Sequence, residues 1–271
     1  MIELKGVNVT YPGGTRALKS TNLRFEGGQF VVLLGASGAG KSTLLRCLNH
    51  LTPPTGGSIT VDGIGTLQGR NRLLTHRRQT GMIFQQHQLI GRRSVLQNVL
   101  TGRLGYHSTL RSFWPLSDQD RSVALACIER VGLLEKSLVR VDSLSGGQQQ
   151  RVGIARAMAQ EPRLLLADEP VASLDPESSH RVLSLIRDVC AEKRIPAIVS
   201  LHQVELARTF ADRIVGIAGG SVVFDDVAGN LSSRELDRLY RQASAPLPEA
   251  ETQGHTRPFT PVVPQPLENQ I

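Results

Sequence analysis

The chain has 271 residues, 40% of them hydrophobic and 20% charged, enough for one large domain or two small ones around a sizeable core. It has no run of about 18 to 20 apolar residues to span a bilayer, and its opening MIELKGVNVTYPGG lacks the basic start, apolar stretch and cleavage site of a secretory signal, so a cytosolic protein is expected. The net charge of +7 allows nucleic acid, anionic lipid or an anionic substrate, but no aromatic residues interleave with the densest basic cluster (Arg70, Arg72, Arg77, Arg78), which reads as a solvated face rather than a base-stacking surface. In chain order, Ile2, Leu4, Val7, Val9 and Tyr11 recur with strand periodicity, and Pro12-Gly13-Gly14 ends the run in a turn. Residues 23–25 are a second strand. FVVLLG at 30–35 is a continuous apolar run bounded by glycine, the pattern of a strand buried on both faces. SITVDG at 58–63 is another strand.

Residues from about 95 to 160 read as helical, with apolar positions at helical spacing in 124–134 and 148–159. RLLLAD at 163–168 and AIVSLH at 197–202 are further buried strands, and residues 178–193 between them form an amphipathic helix. Strands alternating with helices predict a parallel sheet. The early alternating strands, together with RIVGIAGGSVVFDD near residue 220, predict an antiparallel layer beside it. From about Ala245 the composition changes: six of the fourteen prolines lie from Pro246 onward, and too few large apolar residues remain to repay ordering entropy, so residues 244–271 are predicted to be disordered. Cys47, Cys127 and Cys190 form no CxxC pair and read as small apolar residues in a reducing compartment. The seven histidines show no metal-ligand spacing.

Three short motifs carry the chemistry. GASGAGKS comprises Gly35, Ala36, Ser37, Gly38, Ala39, Gly40, Lys41 and Ser42, and fits the phosphate-loop pattern GxxxxGK[ST]; Thr43 follows it. A buried strand precedes it and a helix can follow, so backbone N–H groups and the positive end of the helix dipole converge on phosphate oxygens. Lys41 is placed to reach the β- and γ-phosphates of ATP, and the Ser42 hydroxyl to ligate Mg²⁺. In RLLLADEP a strand feeds an acidic pair: Asp168 is the Mg²⁺ partner through the metal's water shell, and Glu169 is placed to orient and deprotonate an attacking water. The third motif is LSGGQ, with Ser145, Gly146, Gly147 and Gln148 at the start of a predicted helix, where small residues and free N–H groups make an anion site.

Together these motifs resemble the ABC ATPase family, and LSGGQ is similar to its signature. The resemblance implies an α/β fold: a RecA-like P-loop NTPase core, an antiparallel β layer and an inserted helical subdomain, here at about 90–160 within an ATPase domain at 1–243. It implies that the signature faces the γ-phosphate held by a second copy of the chain, so that a homodimer sandwiches ATP. Four further positions match the family pattern. Tyr11 corresponds to the aromatic that stacks on adenine, with a core role in its strand as the alternative. Gln85 corresponds to the glutamine that senses Mg²⁺, Ser173 to Asp175 to the loop that crosses to the partner, and His202 to the switch histidine that contacts the γ-phosphate.

The wording FQQHQLIGRRSVLQNVLTGRLG, LSGGQQQRV, ADEPVASLDP and SLHQVELA is similar to the phosphonate-import ATPases. That implies transmembrane permease subunits, a periplasmic substrate-binding protein, and a place on the cytoplasmic face of the inner membrane. HSTLRSFWPLS at 107–117 resembles an insert of that family, or is a surface loop with Trp114 partly buried; permease docking is expected between Gln85 and about Trp114. Import of phosphite, phosphate or a polar amino acid stays open, as do a soluble ABC ATPase acting on nucleic acid and a nucleotide-gated scaffold. Against a nucleic-acid partner, the chain has one cassette and no zinc module or coiled coil.

Overall fold

The structure, a computed structural model, describes residues 1–86, 88–107 and 116–241. The Pro-rich segment predicted to be disordered and most of the 107–117 insert, Trp114 included, lie outside the described residues.

Two sheets form the frame. A four-stranded antiparallel sheet runs β2-β1-β4-β5, from β1 (Ile2–Thr10), β2 (Arg16–Phe25), β4 (Gly56–Val61) and β5 (Gly65–Thr66). A six-stranded sheet runs β10-β9-β3-β8-β7-β6, from β3 (Phe30–Leu34), β6 (Thr80–Ile83), β7 (Leu164–Asp168), β8 (Ala197–Leu201), β9 (Arg213–Ala218) and β10 (Ser221–Val227). Its pairs are parallel except β10 against β9. The 213–227 hairpin therefore belongs to this mixed sheet and not to the antiparallel layer the sequence predicts, because β9 carries the apolar residues that pair with β3 in the core. The second strand is also longer than the predicted 23–25, because its half that faces outward is polar.

The continuous apolar run of β3 has a simple reason. Side chains alternate across a strand, so Val32 and Leu34 join one core with the helical side of the molecule, while Val31 and Leu33 join a second core beneath the antiparallel sheet. The helices are α1 (Lys41–Leu48), α2 (Arg70–Arg78), α3 (Val95–Leu100), α4 (Asp118–Arg130), α5 (Gly146–Ala159), α6 (Pro176–Lys193), α7 (Val204–Phe210) and α8 (Ser233–Arg241). Ser94, Ser117 and Ser145 each close a reciprocal capping box at the start of α3, α4 and α5. Asp175 caps α6, whose first residue is Pro176. The basic cluster at 70–78 is the short helix α2, largely exposed, with His76 alone buried. Cys47 and Cys190 are buried, and burial pushes both thiols up to about 12; Cys127 is half-buried.

Candidate active site

Four neighbouring strands of the mixed sheet end at one place. The loop 35–40 follows β3, Asp168 ends β7 and Glu169 follows it, His202 follows β8, and Gln85 lies two residues beyond β6. A cavity of about 250 Å³ opens there, lined by Ser37, Gly38, Ala39, Gly40, Lys41, Ser42 and Thr43 of the loop and α1, with Gln85, Glu169 and His202 opposite.

Gly40 shows why the loop needs glycine. Its φ of 113° is in the left-handed region, and a Cβ there would lie 2.6 Å from the Ala17 carbonyl oxygen. With glycine at this position, α1 has no side-chain cap, unlike α3 to α6. The first N–H groups of α1 are therefore left for whatever fills the cavity.

Lys41 is 4% exposed. Its Nζ donates to the Gly35 carbonyl at 2.7 Å and the Ala36 carbonyl at 3.0 Å, and lies 3.4 Å from His202 Nδ1. Burial pulls its pKa below the usual lysine value, partly offset by the charges of Glu169 and Asp168. Ser42 Oγ donates to Asp168 Oδ1 at 2.8 Å. Glu169 sits in the left-handed region at φ 49°. One of its carboxylate oxygens accepts from Gln85 Nε2 at 3.0 Å, and the other meets His202 Nε2.

These contacts bring together the phosphate loop, Asp168, Glu169, Gln85 and His202. Tyr11 stands beside this group rather than in it: it packs partly against the core under the antiparallel sheet, with its hydroxyl 3.3 Å from Thr43 Oγ1. Ser145, Gly147 and Gln148 do not line this cavity. They border a larger one of about 750 Å³ with Leu174 and Arg151, and the chemistry-bearing cluster is at the smaller.

Sequence reading missed Ser200. It is fully buried on β8, donates to Asp168 Oδ1 at 2.9 Å, and accepts from the Glu169 backbone N–H at 2.9 Å. One hydroxyl thus holds both members of the acidic pair. The signal was a lone polar residue inside the apolar run AIVSL, two positions before His202.

The donor set suits a nucleotide and Mg²⁺. Uncapped N–H groups and a buried ammonium match phosphate oxygens. The Ser42 hydroxyl and Asp168 carboxylate are hard oxygen donors side by side, as Mg²⁺ prefers. Among the described residues no group of three His, Cys, Asp or Glu could cage a metal unaided, consistent with Mg²⁺ held by one carboxylate, phosphates and waters.

Residues 18–172 match the family described as ABC transporter. The chain belongs to the ABC transporter family. It is an ATP-binding, ATP-hydrolysing cassette of that family, and the two sheets described above are its P-loop NTPase fold. Among ABC relatives, the phosphonates import ATP-binding protein PhnC 3 of Nostoc sp. (strain PCC 7120) is 62% identical over 243 residues, 90% of this chain and 93% of that one. The phosphite import ATP-binding protein PxtA of Stutzerimonas stutzeri is 58% identical over 248 residues, 92% of this chain and 90% of that one. Of solved structures, the dimeric post-hydrolysis state of the ATP-binding cassette MJ0796 bound to ADP and Pi aligns with a TM-score of 0.75 at 34% identity, covering 84% of this chain and 99% of that chain. Among the described residues no helix of this cassette is long and apolar enough to cross a membrane.

Proposed function

We propose that this cassette powers import of phosphonates, as a homodimer docked on transmembrane permease subunits at the cytoplasmic face of the inner membrane and served by a periplasmic binding protein. The observation that carries the cargo class is the 62% identity to the phosphonates import protein of Nostoc across nearly the whole length of both chains. The 58% identity to a phosphite import protein supports phosphite as the second reading. Both are small tetrahedral phosphorus anions. The test is ATPase activity of the reconstituted complex given binding protein loaded with methylphosphonate, phosphite or phosphate. Stimulation by methylphosphonate above the other two supports the proposal; preference for phosphite selects the second reading.

In this reading residues 1–243 form one ATPase domain with a helical subdomain at about 90–160. Lys41 and the N–H groups at the start of α1 hold the β- and γ-phosphates of ATP. Mg²⁺, held by Ser42 and Asp168 with Gln85 nearby, neutralises phosphate charge when bound. Glu169 accepts a proton from the attacking water, and His202 holds the carboxylate and reaches the γ-phosphate. Ser145, Gly146, Gly147 and Gln148 of a second copy close the site from the other side. In support of that division, the signature residues border a different cavity from the phosphate loop within one chain. Permease docking is proposed between Gln85 and about Trp114; Gln88 and Thr101 of that stretch border a groove of about 290 Å³. Glu169→Gln is expected to bind ATP, form a persistent dimer and turn over very slowly; a variant that stays monomeric in size-exclusion chromatography at saturating Mg·ATP contradicts the sandwich.

A further inference from the structure

Only His202 and Gln203 separate the end of β8 from the start of α7. The His202 side chain meets Glu169 on one nitrogen and Lys41 on the other, so its direction depends on how this two-residue turn is held. α7 has no side-chain cap to fix the turn from its own end. The Gln203 carbonyl accepts the first helical bond, from the Ala207 N–H at 3.1 Å. The His202 carbonyl accepts instead from outside the turn: the Tyr240 hydroxyl, on the last helix, donates to it at 3.2 Å.

The last helix is itself fixed. Leu239 is fully buried, and it packs so closely on β9 that a Cβ at Gly216 would lie 2.6 Å from it. Gly216 pairs with Leu34, the residue before the phosphate loop. The Tyr240 ring packs partly against the same core, and burial raises its pKa, which keeps the phenol protonated as the donor a carbonyl requires. We propose that Tyr240 is a positioning residue for ATP hydrolysis: its hydroxyl fixes the His202 peptide, and through it the imidazole that faces Glu169. This rests on the reading in which His202 serves hydrolysis. It also gives α8 a direct hold on the active site.

The test compares Tyr240→Phe, which keeps the ring, with Tyr240→Leu and His202→Ala in the full chain. Tyr240→Phe is expected to melt like wild type and to bind ATP with unchanged affinity and KM. Its kcat should fall about two- to ten-fold, the worth of one neutral hydrogen bond. The imidazole ¹⁵N signals of His202, assigned by their loss in His202→Ala, should shift. Wild-type kcat in Tyr240→Phe overturns the proposal while leaving the role of His202 intact, and a loss confined to Tyr240→Leu does the same by assigning the effect to packing. A fall in kcat with unmoved His202 signals also overturns it, because the effect then bypasses the turn. Wild-type turnover by His202→Ala would instead remove the reading beneath the proposal, and the proposal with it.

Discussion

Asp120 is the sharpest stability test the molecule offers. It lies in the first turn of α4, 3% exposed, and accepts from Arg103 Nε at 2.9 Å, Ser117 Oγ at 2.7 Å and His107 Nε2 at 2.9 Å. Arg103 is 6% exposed, also donates to the Ala159 carbonyl at 3.0 Å and Glu161 at 2.6 Å, and lies over the Tyr106 ring. The knot joins three pieces of chain: the segment that follows α3, the start of α4 and the end of α5. Asp120→Ala leaves the Arg103 charge buried with one anionic partner, Glu161, that is itself half-exposed. Breaking a buried pair from one side costs about 3–5 kcal/mol; the surviving Glu161 contact sets the expectation at the lower end, about 3 kcal/mol. In a urea titration with a slope of about 1–3 kcal/mol per molar, that moves the midpoint down by about 1–3 M. Far-ultraviolet circular dichroism reports it. Arg103→Met with Asp120→Ala should recover part of the loss, since removing both charges leaves none unpaired. The pH dependence has a definite sign. Burial alone would raise the Asp120 carboxyl, but hydrogen bonds from Ser117, Arg103 and His107 outweigh it and hold the group well below the carboxylate range. Its folded value is depressed, so its stabilisation is present above the unfolded value of 3.8 and fades as pH falls toward the folded one. The gap between wild type and Asp120→Asn should therefore be constant near neutrality and close below about pH 4. A loss under about 1 kcal/mol in Asp120→Ala, or a double variant less stable than the single, would refute this account of the knot.

Ser200→Ala should cost about 1 kcal/mol, because it leaves the part-buried Glu169 N–H without its acceptor; thermal melting measures that, and steady-state ATPase should show kcat falling more than KM rises. Gly40→Ala should weaken ATP binding at least ten-fold and lower the melting temperature, because it combines a left-handed φ with a Cβ 2.6 Å from the Ala17 carbonyl oxygen; an unchanged affinity for a fluorescent ATP analogue would contradict it.

The parts of the site legible in the sequence are those whose chemistry is contiguous in the chain. GASGAGKS, the acidic pair after a buried strand and the serine cap of α5 are each a contiguous run of residues, so spacing alone exposes them. β6 was not legible, because four residues, TGMI, give no periodicity to read and its place at the sheet edge comes from pairing with β7, more than eighty residues away in the chain. The hairpin 213–227 looked like its antiparallel neighbours because local pattern cannot tell which sheet a strand joins; the apolar match of β9 to β3 decides that. Ser200, Asp120 and Tyr240 share one property: each has a partner distant in sequence, Asp168, Arg103 and His202 respectively, that no local pattern names. Tyr11 shows the converse. Its strand position was legible, but whether its ring serves the core or a base was not, and its packing serves the core in part.

The geometry divides the site by how its members are supported. Lys41, Asp168 and Ser200 are almost wholly buried, and ladder pairs such as Leu34 with Leu201 and Asp168 with Ser200 fix the strand ends that carry the site. Such groups move only if the sheet does. Glu169, His202 and Gln85 lie one or two residues beyond those ladders, where side-chain hydroxyls help hold the backbone: Ser200 for the Glu169 N–H, Tyr240 for the His202 carbonyl. Gln85 begins the stretch that leads to α3, and its hydrogen bond to Glu169 ties that stretch to the carboxylate. Asp168 and Ser200 are thus anchored in the sheet and Lys41 at the start of α1, while the carboxylate, imidazole and amide that meet in the cavity lie just beyond the strand ends. The side-chain link between the stretch that leads to α3 and the Glu169 carboxylate is the hydrogen bond from Gln85, so Gln85→Ala should leave Lys41 and Asp168 in place and free the Glu169 side chain on that side.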